Sequence, residues 1–311
     1  MVYDKGMEKI LIIAGPTGVG KSDFAELLAE KIDGVIINAD QAQLYTHISI
    51  GTAKPDWERK PMEHYLFDHI NEPKAFSNHA YQKTVREIIQ AVQKKGKKAI
   101  IVGGSGFYYQ SLLFEFGDLT IAPPLIPAAI EPGYPENWEH LKEIDPERAA
   151  ALHRHDHYRI KRALSIFYTY GILPSKVGMI YKPWAPYTLV HINREKTDLY
   201  ERINKRTEIM LKQGWINETA ELPEPWKDFV CRKKIIGYED ILKYVRGTMD
   251  YDLMVKMIQK KTRNYAKKQQ TFFKSLTKKI PVTEHIHVTQ VNLTLSSVDL
   301  YLNHLIKQYI T

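Results

Sequence analysis

Eight residues near the start of the chain, Gly15-Pro16-Thr17-Gly18-Val19-Gly20-Lys21-Ser22, restrict its fold more than any other stretch. They complete the phosphate-loop pattern G-x-x-x-x-G-K-[ST], follow directly on an apolar run, Ile10 to Ala14, and lead into the helix-forming segment Asp23 to Ile32. A strand that ends in such a loop and then opens a helix leaves successive backbone N–H groups unpaired, and these point at an anion beside the positive end of the helix. The motif predicts a diphosphate cradle over residues 15–22, with Lys21 on the outer phosphate and the Ser22 hydroxyl on a magnesium ion. An ordinary glycine-rich turn would not require both flanks. The loop by itself does not name a reaction.

The rest of the chain reads as the fold that such a loop demands. Apolar runs at Ile10–Ala14, Val35–Ala39 and Ala99–Val102 are short, rich in Ile and Val, and separated by helical patterns, as buried parallel strands are. Thr188–Asn193 supplies a further run that rejoins the sheet. Tyr81, Val85, Ile88, Ile89 and Val92 recur at helical spacing, which predicts a crossover helix over Asn78–Lys95. Pro123, Pro124, Pro127, Pro132 and Pro135 then interrupt any regular element, and Trp138–Tyr170 reads as helical. The expected fold is α/β: a P-loop NTPase-like parallel sheet core with an inserted helical subdomain and a helical C-terminal part. The core occupies residues 1–118, the insertion 119–186, and 187–311 returns to the core and carries helices at Leu199–Gln213, Gly237–Val245 and Tyr251–Leu276 before a β-rich tail.

Composition narrows the class of protein. In 311 residues there is no apolar stretch near the ~20 needed to span a bilayer, so no membrane is expected. Residues 1–8 lack the basic-then-apolar pattern of a secretory signal, and the expected location is the cytoplasm. The single cysteine, Cys231, excludes an internal disulfide and a cysteine-rich metal site. A net charge of +8 suggests a polyanionic partner. Its basic residues gather beyond the phosphate loop, at Lys94–Lys98, Arg154–Arg162, Arg202–Arg206, Arg232–Lys234 and Lys256–Lys274.

Two more strand ends open toward the same crevice, because parallel strands place their carboxyl ends together. The second ends in Asp40-Gln41-Ala42-Gln43, which makes Asp40 a candidate acid or base, or else a helix cap. The third ends in Gly103-Gly104-Ser105-Gly106-Phe107, where Ser105 offers a hydroxyl and the aromatics an apolar wall or plain core. Ile50-Gly51-Thr52-Ala53-Lys54-Pro55 is a small-residue segment suited to close approach by a ligand. His153, His155 and His157, spaced by two at a helix start, are read as polar or capping residues rather than metal ligands.

Taken in order, the segments 15–22, 39–45, 50–55, 103–106 and 262–269 resemble the bacterial tRNA dimethylallyltransferases, and the resemblance spans nearly the whole chain. Asp145-Pro146, Arg159 to Leu164, Leu199 to Arg206 and Gly237-Tyr238-Glu239 fit as well. The chain departs from the usual pattern at Gln41-Ala42, at serine rather than threonine in positions 22 and 105, at His153-Arg154-His155-Asp156, and at Glu239, Lys268 and Phe272.

The resemblance implies transfer of a dimethylallyl group from dimethylallyl diphosphate to the adenosine just 3′ of certain tRNA anticodons. An adenine amine is a weak nucleophile, so Asp40 is assigned as general base, and the leaving diphosphate is assigned to the loop amides, Lys21 and Mg2+ held through Ser22. It further implies that Asp40, Gln41, Ala42 and Gln43 lie against the target base with Ser105 near both substrates. Tyr158, Arg159, Ile160, Lys161 and Arg162 match one tRNA-touching segment; Arg263, Lys267, Lys268, Gln269, Phe272 and Lys274 match another. On a helix Lys260, Arg263, Lys267 and Lys274 form one basic face, with Tyr265, Phe272 and Leu276 available to bury the other. The partner is a tRNA anticodon stem-loop, and the enzyme is expected to be a monomer. A P-loop kinase of a nucleotide or small metabolite would share the cradle but leave the basic C-terminal third unexplained. A non-catalytic RNA-binding NTPase would need a second acidic strand end, which the sequence does not offer.

Overall fold

The computed structural model describes residues 8–116, 136–281, 286–293 and 298–310. The proline-rich stretch 120–135 lies outside the described residues. Two compact units emerge, one made of 1–112 and 184–311, the other of 113–183.

The first unit is built on a six-stranded parallel sheet. Its strands are β1 (Ile10–Ala14), β2 (Gly34–Asn38), β3 (His64–Tyr65), β4 (Lys98–Gly103), β7 (Tyr187–Asn193) and β8 (Ile286–Asn292), in the order β3-β2-β4-β1-β7-β8. β1 lies between β4 and β7, with Leu11 opposite both Ile100 and Thr188. Every residue of β1 and β2 is buried, which explains why these strands read as unbroken apolar runs rather than as alternation. Alternate residues Leu11, Ile13, Ile36, Ile100, Val102, Val190 and Ile192 join one core cluster with Phe24 and Leu28 of α1 (Lys21–Ile32). Leu199 and Ile203 of α7 (Lys196–Lys212) and Leu302 and Leu305 of α12 (Val298–Ile310) complete that cluster.

The crossover helix α2 (Asn78–Lys94) starts at Ser77, whose hydroxyl accepts from Ala80 N–H at 3.0 Å, and buries Tyr81, Val85, Ile89 and Val92. Tyr81 stacks on Tyr108 of α3 (Gly106–Leu113) with ring centroids 3.7 Å apart. Tyr81 and Tyr109 donate their hydroxyls to the carbonyls of Asn38 and Ile13, pinning both helices to strand ends.

The second unit begins and ends in a two-stranded antiparallel pair, β5 (Phe114–Phe116) with β6 (Met179–Tyr181), so the excursion leaves and returns at one place. Its bounds, 113 and 183, are set by this pair rather than by the proline run, which is why they fall a few residues before those expected from composition. The helical stretch is broken into α4 (Trp138–Ile144), α5 (Pro146–Ala150) and α6 (His157–Tyr170). Asp145 caps α5 and Asp156 caps α6, accepting from Arg148 N–H at 2.9 Å and Arg159 N–H at 3.2 Å. Leu141, Ala149, Ile160, Ala163 and Leu164 form its small core.

After β7, α7 is followed by α8 (Trp215–Glu221), α9 (Glu224–Arg232), α10 (Tyr238–Val245) and the long α11 (Tyr251–Thr277). The buried stripe of α11 is Met254, Ile258, Ala266, Gln269, Phe273 and Leu276. This corrects the expected stripe at two positions. Tyr265 is 38% exposed, and Phe272 is half-buried, because the helix turns Phe273 rather than Phe272 toward the sheet.

The ends of β2 and β4 are knit together beyond the sheet. Ala39 N–H donates to Val102 O at 2.7 Å, and Ser105 N–H donates to Ala39 O at 3.1 Å. This contact leaves no room at Gly103, where an added Cβ would overlap the Ala39 carbonyl. Gly103→Ala should therefore cost about 1–3 kcal/mol, the usual penalty of overpacking, measured as a fall in the urea midpoint without a change in its slope.

Candidate active site

Asp40 stands one residue beyond the knitted strand ends and is held by its neighbours before any ligand arrives. The Asn38 amide donates to Asp40 O at 3.1 Å and to Leu66 O at 2.8 Å, while its oxygen accepts from Asp40 N–H at 2.8 Å. Asp40 Oδ1 accepts from Ala42 N–H at 3.0 Å, closing a turn that leads into a short 3-10 helix, Ala42–Leu44. Asp40 thus caps its own turn and also faces a cavity, so the two readings of this aspartate are compatible. Burial raises its carboxyl pKa, opposed by the Ala42 N–H and by the charges of Lys21 and Arg206.

Two cavities meet at this carboxylate. One of about 60 Å³ is lined by Lys21, Ser22, Glu26, Gln43 and Gly103; the other, of about 270 Å³, by Gln41, Ala42, Ser105, Met210, Trp215 and Tyr265 among others. Thr17, Asp40, Thr52 and Arg206 line both. The smaller cavity is polar and belongs to the phosphate loop. The larger is more apolar, with Ile203, Ile235 and Ile236 among threonines and other polar groups, and Lys233 and Lys234 at its exposed edge.

The loop itself turns into α1 at Gly20, whose φ of 101° suits glycine. Lys21 Nζ donates to Pro16 O at 2.8 Å. Burial lowers its pKa to about 8, with Asp40 acting to raise it and Arg206 to lower it further. His191, on β7 opposite Ala14, is pushed to about 4 by burial and by the Lys21 charge, and so stays neutral.

Four residues whose part in the loop the sequence does not show complete it. Arg206 of α7 donates to the Thr17 hydroxyl, and burial lowers its own pKa while Asp40 opposes that. One turn earlier, Arg202 donates to Gly18 O at 3.0 Å, and Arg194 donates to Val19 O at 3.3 Å. The resemblance covered the segment 199–206, but nothing local signals that its arginines reach a loop more than 180 residues away. Gln269, matched to a tRNA-touching segment, is buried instead. Its oxygen accepts from Thr17 N–H at 2.9 Å and its nitrogen donates to Gly104 O at 2.9 Å, so it braces the loop against the third strand end.

The remaining candidates separate by exposure. Ser105 Oγ accepts from Gln41 N–H at 2.9 Å and keeps its own hydrogen to donate into the larger cavity. Phe272 packs over Gly106, with its ring 5.1 Å from the exposed Phe107. Lys267, Lys268 and Lys274 are exposed on α11. Arg263, by contrast, is turned to α7, donating to Asn204 Oδ1 at 2.7 Å and lying 5.9 Å over the Tyr200 ring. In the insertion Tyr158 is 71% exposed, Arg159 pairs with Asp156, Lys161 lies 2.9 Å from Glu136, and Arg162 is half-buried. Ile160 is fully buried in that unit's core; helical periodicity turns it inward, which corrects its place among the tRNA-touching residues. Lys54 likewise faces inward, donating to Tyr45 O at 2.7 Å and pairing with Asp68, so it fastens its loop rather than meeting a ligand.

The oxygen donors of the smaller cavity suit a hard cation that is bound chiefly through a diphosphate and water. Among the described residues no group of three or more His, Cys, Asp or Glu gathers as a self-sufficient metal site.

A family model described as IPP transferase matches residues 43–276. A protein of Acetivibrio thermocellus named tRNA dimethylallyltransferase is 36% identical over 282 residues, covering 87% of this chain and 90% of its own. The crystal structure of a tRNA delta(2)-isopentenylpyrophosphate transferase from Staphylococcus epidermidis is 27% identical, with a TM-score of 0.63, over 97% of this chain and 99% of that one. A eukaryotic dimethylallyltransferase captured acting on tRNA has the same fold, with a TM-score of 0.73 at 24% identity over 94% of this chain and 76% of that one.

Lys21 holds an anion only while protonated, so affinity for inorganic diphosphate should fall as pH rises through about 8. Calorimetric titration of wild type and Lys21→Met checks this. The alkaline limb should vanish in the variant, whereas the ionisation of diphosphate itself affects both proteins alike.

Proposed function

The chain belongs to the IPP transferase family, and from that premise we propose that it moves a dimethylallyl group from dimethylallyl diphosphate onto tRNA. The acceptor is the exocyclic N6 amine of the adenosine immediately 3′ of the anticodon in certain tRNAs. The observation that carries this reading is the meeting of a polar phosphate-loop cavity and a larger, more apolar one at a single carboxylate, Asp40. A diphosphate fits the first, and an allylic chain with a planar base fits the second.

The chemistry follows from the groups at that junction. The amine nitrogen forms a bond to the allylic carbon as the bond from that carbon to the diphosphate oxygen breaks. The amine proton passes to the Asp40 carboxylate, whose raised pKa makes it a better base than an exposed aspartate. Charge grows on the departing diphosphate and is met by Lys21, the loop N–H groups and the Arg206 guanidinium. Lys21, which donates to Pro16 O, turns to the diphosphate when that ligand arrives. The Ser22 hydroxyl is the loop's ligand for Mg2+, which when bound with the diphosphate adds further neutralising charge.

RNA is drawn by exposed cations, and Lys267, Lys268 and Lys274 on α11 supply one such surface. Tyr158, Arg159, Lys161 and Arg162 on the insertion supply another by resemblance. Bases must leave the anticodon-loop stack to reach a buried carboxylate, and the Phe107–Phe272 pair offers an aromatic surface near Ser105. We take the protein to act as a monomer in the cytoplasm; among the described residues no helix is long and apolar enough to cross a membrane.

Transfer of labelled dimethylallyl to an anticodon stem-loop with three adenosines after a 5′-uridine anticodon, in the presence of Mg2+, tests the proposal. Asp40→Ala and Lys21→Ala should each lower the rate by at least ~100-fold. A wild type that binds the stem-loop and transfers nothing would overturn the assignment.

A further inference from the structure

The larger cavity has an exposed end and a buried one. At the exposed end stand Lys233 and Lys234, with the half-buried Ile235 and Ile236 next to them. The buried wall is made by Ile203, Thr207 and Met210 of α7 and by Trp215, the first residue of α8. Spacings of four and three residues keep the three α7 side chains on one face of that helix.

The helix α7 relates this wall to the phosphate loop. A Cβ on Gly18 would lie 2.9 Å from the Ile203 side chain, Arg202 donates to Gly18 O, and Arg206 donates to the Thr17 hydroxyl. Arg206 lines both cavities, whereas Met210 lines only the larger. Four residues separate them, which at helical rise is about 6 Å. A hydrocarbon chain that leaves the diphosphate along α7 therefore meets Met210 roughly one helical turn later.

Trp215 is the unyielding part of the wall. Gly214, at a φ of 104°, turns the chain from α7 into α8, and Trp215 is 2% exposed. Its indole is wedged between two glycines: a Cβ on Gly51 would fall 2.1 Å from Nε1, and one on Gly237 would fall 2.2 Å from the ring. The Tyr238 ring meets it edge-on, with centroids 5.8 Å apart. Close by on α8, Glu218 fastens both sides of the wedge. Its Oε2 accepts from Ser49 N–H at 2.8 Å and Ile50 N–H at 2.6 Å, and its Oε1 accepts from Gly51 N–H at 3.0 Å and the Tyr238 hydroxyl at 2.8 Å. Three successive N–H groups converging on one carboxylate form a nest, here filled from within the chain. The segments of Gly51 and Gly237 are thus tied to the helix that carries the indole, which cannot swing aside.

Resting on the function proposed above, we infer that Met210 and Trp215 limit the transferred group to five carbons by closing the buried, apolar end of the larger cavity. The adenine, whose amine and ring nitrogens need polar partners, takes the side of Asp40, Gln41 and Ser105. A prenyl tail has no polar group to satisfy and takes the side of Ile203, Met210 and Trp215, where a polar edge would go unpaired. A ten-carbon geranyl chain on the same diphosphate runs into the indole.

The test measures kcat/KM for transfer from dimethylallyl diphosphate and from geranyl diphosphate to the same stem-loop. Wild type should strongly favour the shorter donor. Met210→Ala should raise the geranyl-to-dimethylallyl ratio by at least about 10-fold, since a hole left in a close-packed wall collapses only in part and pocket length discriminates between chains. Trp215→Leu should raise it further. Ile235→Ala, at the exposed end of the same cavity, should leave the ratio within about twofold, and all three variants should keep the wild-type affinity for inorganic diphosphate within the same margin. Met210→Ala leaves both glycine contacts of the indole in place, and its ratio decides the matter even where Trp215→Leu does not fold. A wild type that uses both donors equally, an unchanged ratio in Met210→Ala, or an equal rise in Ile235→Ala would each overturn this inference alone. A wild type that transfers neither group would overturn the proposed function and this inference with it.

Discussion

The amide of Gln269 ties three parts of the active site together, and the rest of the arrangement depends on it. Its oxygen takes the N–H of Thr17 and its nitrogen reaches the carbonyl of Gly104, so a single side chain from α11 fixes the phosphate loop relative to the third strand end. Gly104 has no room for a Cβ against that amide. A buried amide with both ends satisfied is rigid, whereas loss of either partner would strand a buried polar group. With Gln269 in place, Thr17, Asp40 and Ser105 keep their relative positions, and the two cavities share a common wall.

Around that brace, α7 provides the charge. Arg202 and Arg206, four residues apart on one helix face, donate to Gly18 O and the Thr17 hydroxyl, and Arg194 just before the helix donates to Val19 O. The phosphate loop therefore carries guanidinium groups on the carbonyls of Gly18 and Val19 and on the Thr17 hydroxyl. Lys21 gives up its proton more readily than a free lysine chiefly because it is buried, with a smaller push from Arg206 set against the pull of Asp40, and its pKa falls to about 8.

Much of this was legible in the sequence, and the exceptions share a physical cause. β1, β2, β4 and β7 are buried on both faces, so their runs of Ile and Val stand out. β3, two half-buried residues at the sheet edge, has no such signature. α8 and α9 are seven and nine residues long and are separated by Pro223, too short and too interrupted for a periodic pattern. In the site, Gly15–Ser22, Asp40 and Ser105 are readable because each follows its own strand. Arg206, Gln269 and Glu218 are not, since their partners lie 165 to 252 residues away along the chain. Ile160 shows the converse error. A matching segment was carried over whole, while the helix divides it into outward and inward residues.

The same long-range bonds bear on how the molecule comes into being. β1 pairs with β4 and then with β7, and its loop is completed only by α11, with 252 residues separating Thr17 from Gln269. At about 5–20 residues per second, roughly 13–50 s of synthesis pass between the emergence of the loop and that of its brace. During that interval the nascent chain carries a glycine-rich loop and open strand edges without their closing helix. The anion cradle is thus among the last features to mature on the ribosome, and a chain truncated before α11 would lack a finished one even though its motif was made first.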